Sequence, residues 1–422
     1  MNWRLMRRLL SAALVLAGLP AAAAPRRPNI VMITVDAMRA DRLACYGGRP
    51  GVTRNLDRVA RDAVIFLDAS CPIPLTNPSM TTTFTSRPCW KTGATRNGIP
   101  MLPGQETLPD LLRQQGYTTA AVVASWPLQH TESGLAASFD WYADRIQTPL
   151  YLYPTLEREA RWTTRNAQRW LRRGVREPFF LWLHYADPHQ PHLRPLAIHN
   201  YLGADETGRS AVERSYDEEV AYADHWIGVL LDDLRARGLL DNTILIISAD
   251  HGENLGGKKK FQGHGRRLYA PILHVPLLIA GPGLPAGRRI SDPEHSLDFA
   301  PTVLGLLGLP RGAAMEGRDL SGLILRGEPV SPVTQFYESY SIAVMIPGTE
   351  KYFRDHSPPV VLGLRDGKWK LVYTLKKRAW EMYDLTADPD ELTNVYDPAS
   401  AEFKRLSGQL SAYYALRGRS LP

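Results

Sequence analysis

Apolar runs without polar interruption recur along this chain and alternate with segments of helical periodicity, and that alternation restricts the fold more than any other feature. The runs "NIVMITV" (29–35), "VIF" (64–66), "TTAAVVA" (118–124), "FFLWLHY" (179–185), "TILIISA" (243–249) and "VPLLIAGP" (275–282) read as strands buried on both faces. Helical patterns lie between them. Thr53 caps a repeat with Leu56, Val59, Ala60 and Ala63 on one face, and Thr107 opens "LPDLLRQQG", which Gly116 closes. Others run from Leu156 to Leu171, from Val212 to Arg237 and along "FAPTVLGLLG" (299–308). Strands and helices in this order predict an α/β fold, a mostly parallel sheet sandwiched by helices.

The texture changes near Ala313. "VVLGLRDGKWKLVY" (360–373) holds two strand-like runs joined at Asp366-Gly367, a hairpin turn, and a helical pattern follows from Ala401 to Tyr414. Residues 25–312 therefore read as the catalytic α/β domain. Residues 313–422 read as a small α+β subdomain with a short antiparallel sheet and a terminal helix. At the other end, Arg4, Arg7 and Arg8 precede the apolar run Leu9–Leu19 and the small residues Ala21–Ala24. Residues 1–24 thus read as a secretory signal peptide, with the protein exported to a periplasmic or extracellular space and no integral membrane segment in the mature chain. The formal charge of +7 comes from basic residues that read as scattered and without an aromatic RNA-binding signature, so nucleic acid is not an expected partner. The three cysteines, Cys45, Cys71 and Cys89, would allow one bridge under oxidising conditions. A Cys71–Cys89 pairing would clamp the intervening segment, although spacing does not decide connectivity.

In open parallel sheets ligands bind beyond the carboxyl ends of strands, so the polar residues found there carry the chemistry. "NIVMITV" ends in Asp36, "TILIISA" in Asp250-His251-Gly252-Glu253, and "FFLWLHY" runs into Asp187-Pro188-His189. Two aspartates and an imidazole suit a hard to borderline divalent cation. Taken singly, Asp36 could cap a helix, and His184, His264 and His274 read as structural histidines. The run Lys258–Lys260 reads as a solvated loop, or as a place where an anion is met. The stretch "PLTNPSMTTTFTSRP" (74–88) reads as a helix start with Pro78 at the first position and Thr76 or Asn77 as the cap. Thr76 is then either a cap or a nucleophile, because free N–H groups at a helix N-terminus favour a bound phosphate or sulfate.

Taken in order, "RPNIVMITVDAMRADRLACYG", "TNPSMTTTFTS", "HYADPHQPH", "SADHGENLG" with "GHG" behind it, "HVPLLIAGPG" and "SLDFAPTVLGLLGLP" resemble the sulfatase family of the alkaline-phosphatase superfamily. The tail "GLRDGKWKLVY…MYDLTADPDELTNV" resembles that family's C-terminal segment. The resemblance implies a metal held by Asp36, Thr76, Asp250 and His251, and Ala37 stands where the family has a further ligand. It places His189 against the substrate or leaving group, makes His264 the histidine of the downstream HG pair, and leaves Lys260 to meet the anion. The family's C/S-x-P-x-R pattern carries the cysteine that becomes formylglycine. Here Thr76 replaces the cysteine and Met80 the arginine, so no formylglycine is expected.

The resemblance further implies an ester hydrolase using a divalent metal ion, calcium, manganese, zinc or magnesium, on a small-molecule or glycan ester. Thr76 would attack phosphorus or sulfur, and His189 or His264 would protonate the leaving oxygen. A threonine ester has no hemiacetal route of release, which favours phosphate over sulfate. Two other readings stand beside it: a non-catalytic binding protein on a decayed scaffold, for which Ala37 and Met80 speak, and a phosphoryl-group transferase. Substrate choice is expected from the loops 146–154 and 193–209, with Trp126, Trp141, Tyr151 and Tyr153 as stacking candidates.

Overall fold

The computed structural model describes residues 26–146, 157–192, 202, 208–257, 259–340 and 358–421. Residues 1–24, expected to be a signal peptide, most of the two loops expected to set specificity, Tyr151, Tyr153 and Lys258 lie outside the described residues. The large sheet is built from β1 (Asn29–Val35), β2 (Val64–Ser70), β3 (Thr118–Val123), β4 (Trp141–Ala143), β5 (Phe179–Tyr185), β6 (Thr243–Ser248), β9 (His274–Ala280), β10 (Arg289–Ile290) and β11 (Glu294–His295). Between β6 and β9 lies a hairpin of two very short strands, β7 (Asn254–Leu255) and β8 (Gln262–Gly263). The strand order is β10-β2-β9-β6-β1-β5-β3-β4, with β11 also on β2. Every residue of β1, β5 and β6 is buried, as their unbroken apolar sequence requires.

All pairings in this sheet are parallel except those of β9, which runs antiparallel to both β2 and β6. The connection from β6 to β9 explains the exception. Among its described residues are the β7–β8 hairpin and the one-turn helix Ala270–Leu273, and none of them forms a long crossover helix that would return the chain to the other end of the sheet.

The flanking helices are α1 (Arg54–Ala60), α2 (Thr76–Thr85), α3 (Leu108–Gln114), α4 (Ala160–Leu171), α5 (Ala211–Ala236) and α6 (Phe299–Leu306). Thr107 caps α3 through a reciprocal box with Asp110, as its sequence predicts. Thr53 does not cap α1: its hydroxyl donates to Asp57, and the carboxylate of Asp224 on α5 accepts the Asn55 and Leu56 N–H groups instead. The helix expected from Leu156 begins at Ala160, because Glu157 forms an extended bridge with Ser125.

The start of α2 also differs from expectation. Leu75 occupies the cap position, Thr76 is the first helical residue and Pro78 the third, so neither Thr76 nor Asn77 is the cap. Pro78 is tolerated there because the first four N–H groups of a helix have no intrahelical acceptor. All ten residues of α2 are buried in spite of their polarity. Thr83 and Thr85 donate to the carbonyls of Ser79 and Thr81, and Thr81 donates to the Asn77 side chain, so these hydroxyls are satisfied within the helix.

The second sheet, β12 (Gln335–Ser339), β13 (Val361–Asp366), β14 (Trp369–Thr374) and β15 (Ala379–Asp384), is antiparallel in chain order. Its β13–β14 hairpin turns at Gly367-Lys368, with Gly367 at φ +58°. Side-chain alternation divides its two faces. Leu362, Leu364, Leu371 and Tyr373 pack with Leu406, Leu410 and Tyr414 of α7 (Ala401–Ala415), whereas Val361 and Val372 join the core of the large domain. Leu320, Leu323 and Ile324, beyond the expected boundary at residue 313, also pack into that large core. The three cysteines are unbridged. Cys71 Sγ lies 3.7 Å from the Ile272 carbonyl and Cys89 Sγ 3.5 Å from Glu338 Oε2, each in its own buried setting, so the Cys71–Cys89 clamp is not formed. Among the described residues no helix is long and apolar enough to cross a membrane.

Candidate active site

Strands β6, β1 and β5 are neighbours, and their parallel register aligns their carboxyl ends. Three residues from separate parts of the sequence therefore meet: Asp36 just past β1, His184 near the end of β5 and Asp250 just past β6. Each offers a ligand atom, all within 4.8 Å of one another, and all three residues are buried. His251 adds a fourth, with Nε2 at 3.4 Å from Asp250 Oδ2 and 3.7 Å from Asp36 Oδ1.

The hydrogen bonds fix what these groups present. Asp36 Oδ2 accepts from Ser125 Oγ at 2.7 Å and lies 3.3 Å from His184 Nε2. Asp250 Oδ1 accepts from the Ala37 and His251 N–H groups at 3.1 and 2.9 Å. His251 Nδ1 lies 3.0 Å from the Gly252 carbonyl, which can only accept, so Nδ1 carries the proton and Nε2 presents a lone pair. Asp36 Oδ1, Asp250 Oδ2 and His251 Nε2 are left as buried acceptors without a hydrogen-bond partner. Three acceptors so close together repel unless a cation lies between them, and oxygen and imidazole donors are the set a divalent ion takes. The residues present fit a metal.

The electrostatics carry the same imprint. Burial opposes ionisation of Asp36, but His189, His184 and His251 outweigh it and hold its carboxyl well below the usual range. Burial and the neighbouring Asp36 charge push Asp250 well above its usual range. Burial and the adjacent His264 depress His251 well below the ordinary histidine value, keeping its imidazole neutral.

Ala37 is buried in left-handed backbone at φ +58°. Its N–H serves Asp250 and its carbonyl accepts from Tyr216 Oη at 2.7 Å, so this position supplies backbone groups and no ligand atom. Met80 packs in the hydrophobic core. Thr76 is tied to the same place through its helix, since Ser79, one turn on, donates to the Asp250 carbonyl at 2.6 Å. Among the described residues Thr76 Oγ1 has no hydrogen-bond partner, although the residue is buried.

Two glutamate–histidine pairs face each other beside these groups. His189 Nδ1 forms an ion pair with Glu157 Oε1 at 2.6 Å, and His264 Nδ1 lies 3.0 Å from Glu253 Oε2. The two rings are 5.0 Å apart, and the His264 ring stacks on His251 at 4.3 Å. Burial would lower His189, but Glu157 and Asp36 overcome it and raise the imidazole well above its ordinary value. Lys260 stands apart, exposed at the tip of the β7–β8 hairpin, while its neighbour Lys259 turns away to the Glu391 carbonyl.

Sequence reasoning alone treats His184 as a core histidine and assigns no role to Ser125, Glu157 or Glu253. The position of His184 at a strand end is the available signal. Glu253 is visible in "DHGE", whereas nothing near Ser125 or Glu157 in sequence marks either residue. Substituting Glu253→Gln keeps the side-chain shape but removes the charge that supports His264; kcat should fall about 10- to 100-fold with KM unchanged, read from steady-state kinetics.

Asp187 adds a stability signature. Burial first, then the Glu157 charge, pushes its carboxyl up to about 7, against roughly 3.9 in an unfolded chain. The protonated form is therefore favoured by folding: the contribution is complete below about pH 4 and lost as pH rises through about 7. Urea unfolding should show a loss of about 2 kcal/mol across that interval, less than full conversion because the side chain keeps some solvent contact. The loss should vanish in Asp187→Asn.

A family model described as sulfatase matches residues 28–309, two thirds of the chain. The chain belongs to the sulfatase family. A second model, described as the C-terminal part of N-sulphoglucosamine sulphohydrolase, matches residues 260–414. This sulfatase-family hydrolase is 28% identical to an ulvan-active sulfatase of Formosa agariphila over 72% of its own length and 66% of that protein. It is 24% identical to an N-acetylglucosamine-6-O-sulfatase of Bacteroides thetaiotaomicron over 89% and 83%. Its fold matches that of a phosphonate monoester hydrolase from Silicibacter pomeroyi, with a TM-score of 0.72, 20% identity and coverage of 93% and 96%.

Proposed function

We propose that this protein is an exported, metal-dependent hydrolase of a phosphate or sulfate ester, with Thr76 as its nucleophile. The observation that carries the reading is the convergence of Asp36 Oδ1, Asp250 Oδ2 and His251 Nε2 as unpartnered buried acceptors beside the first turn of α2. Asp36, His184, Asp250 and His251 would hold the ion. When bound it supplies positive charge that stabilises an alkoxide and the nonbridging oxygens of the ester.

The chain's own residues carry the remaining steps. The Thr76 hydroxyl attacks phosphorus or sulfur and passes its proton to His264, whose Nε2 is the free base once Nδ1–H faces Glu253. His189, kept cationic by Glu157, gives its proton to the departing oxygen, which leaves as an alcohol. Water then attacks the threonine ester, neutral His189 takes its proton, and His264 returns the first proton to Thr76. At the start of α2 Pro78 has no N–H and those of Asn77 and Ser79 already donate to Asn97 Oδ1 and the Leu75 carbonyl, which leaves the Thr76 N–H to meet a nonbridging oxygen. A covalent threonine ester must be hydrolysed directly, which favours phosphate. The names of the two relatives support an ester carried on a glycan. The N-terminal pattern of Arg4, Arg7, Arg8 and Leu9–Leu19 supports export.

The deciding experiment compares turnover of aryl phosphate monoesters, diesters and sulfates after separate loading with calcium, manganese and zinc. Metal-dependent release of the phenol is expected, fastest for a phosphate ester. Faster sulfate release would place the protein with true sulfatases. Absence of both turnover and bound metal would return the protein to the decayed scaffold that Ala37 and Met80 suggest.

A further inference from the structure

Helix α4 starts at the rim of the active site. Its first N–H, from Ala160, donates to Asp187 Oδ2 at 2.9 Å, and Glu157 just before it holds His189. One face of the helix, Ala160, Thr163, Thr164, Ala167, Trp170 and Leu171, is buried. The opposite face carries Arg161, Trp162, Arg165 and Arg169, with Arg172 at the C-cap and Arg173 just beyond. All of these are exposed except Arg161, which is partly so. At helical spacing the positions from Arg161 to Arg172 fall within an arc of about 100° and span about 17 Å.

Among the described residues a single carboxylate meets this row. Glu159 lies 3.5 Å from Arg161, and among the described residues no carboxylate pairs with Arg165, Arg169, Arg172 or Arg173. The helix dipole favours cations at the C-terminus, which accounts for Arg169 and Arg172, yet it disfavours Arg161 near the start. Arg161, Arg165 and Arg169 are also spaced four residues apart, where like charges repel by a few tenths of a kcal/mol per pair. The row therefore stands against the helix's own electrostatics. Within it Trp162 is 40% exposed, and the guanidinium groups of Arg161 and Arg165 lie 4.8 and 5.1 Å from its ring centre.

We propose that this face of α4 is a binding track for a sulfated polysaccharide, leading the chain away from the ester held at the active site. Guanidinium groups pair with sulfate oxygens through parallel N–H donors, and the Trp162 ring, with Arg161 and Arg165 stacked against it, holds two of those groups on the exposed face. The track is continuous with the rim at Glu157 and Asp187, as a substrate longer than one sugar requires. This inference rests on the reading that the ester is carried on a glycan.

Binding of dextran sulfate and of uncharged dextran to the full chain, measured by calorimetry at low and at physiological salt, tests it without any turnover. The parent protein should bind dextran sulfate, more weakly as salt rises, and ignore dextran. Arg165→Glu/Arg169→Glu/Arg172→Glu should weaken binding at least tenfold and flatten the salt dependence, with its circular-dichroism melt unchanged; Trp162→Ala should weaken it about three- to tenfold. Thr76→Ala should bind as the parent does, so a failed nucleophile assignment cannot be mistaken for a failed track. Equal binding by the parent and the triple variant, or no binding by the parent, would overturn the proposal. Equally tight binding of duplex DNA at the same salt, with the same loss in the triple variant, would overturn the assignment to polysaccharide.

Discussion

Thr76→Ala should lower metal-dependent turnover about 10³-fold or more, while Thr76→Ser keeps it within about tenfold. The structure makes this a sharp test, because Thr76 is the first residue of α2 and not its cap. A capping role would cost about 1 kcal/mol of stability on truncation and leave chemistry alone. Without a hydrogen bond from Thr76 Oγ1 to any described residue, removal of the hydroxyl should instead leave the urea midpoint nearly unchanged while turnover collapses. Serine keeps the attacking oxygen and loses only a methyl group. Single-turnover kinetics with an aryl phosphate would show the burst of phenol in the parent and Thr76→Ser, and none in Thr76→Ala. A large stability loss with turnover retained would make Thr76 structural and leave the nucleophile to be found elsewhere.

The frame of the site was legible because strand ends are legible. Buried parallel strands are continuous apolar runs, so the point where β1 yields to Asp36 and β6 to Asp250-His251 is visible in the sequence. Strand order was not. That β5 lies against β1, bringing His184 to Asp36, is a consequence of pairing between segments about 150 residues apart, and no local signal encodes it. The antiparallel β9 was hidden for a related reason: its apolar run is the same in either direction, and only the connection before it decides. Glu157 is placed by a bridge to Ser125 rather than by its own neighbours. The cap of α1 likewise comes from Asp224, far along the chain, which is why the nearby Thr53 misled.

The basic residues show the same limit in another form. Read linearly, the arginines between 158 and 176 look dispersed among polar and apolar residues. Folding at 3.6 residues per turn turns the spacings of four, four and three from Arg161 to Arg172 into one exposed face. The burial of Trp170 and Leu171 on the other side then fixes which way that face points.

Lys370→Met should destabilise the protein by about 3–5 kcal/mol and slow turnover as well. Lys370 on β14 pairs with Glu391, and both side chains are almost wholly buried. Glu391 is also one link between the C-terminal subdomain and the active-site loops, beside those from Ser339 to the Gly265 carbonyl and from Tyr269 to Glu381. Its Oε2 accepts the Ala270 N–H at 2.8 Å, and its carbonyl accepts from Lys259. His264 lies on the segment between those two attachments. Removing the ammonium group strands a carboxylate in the interior, and its relief by local opening would release the segment that holds His264. Adding Glu391→Gln to Lys370→Met should recover most of the stability, since glutamine still accepts from Ala270 and no charge stays buried. Urea unfolding of the two variants measures the first effect and kcat the second. Recovery of both would show that the subdomain acts on the site through this clasp. Recovery of stability alone would confine the Lys370–Glu391 pair to holding the two domains together.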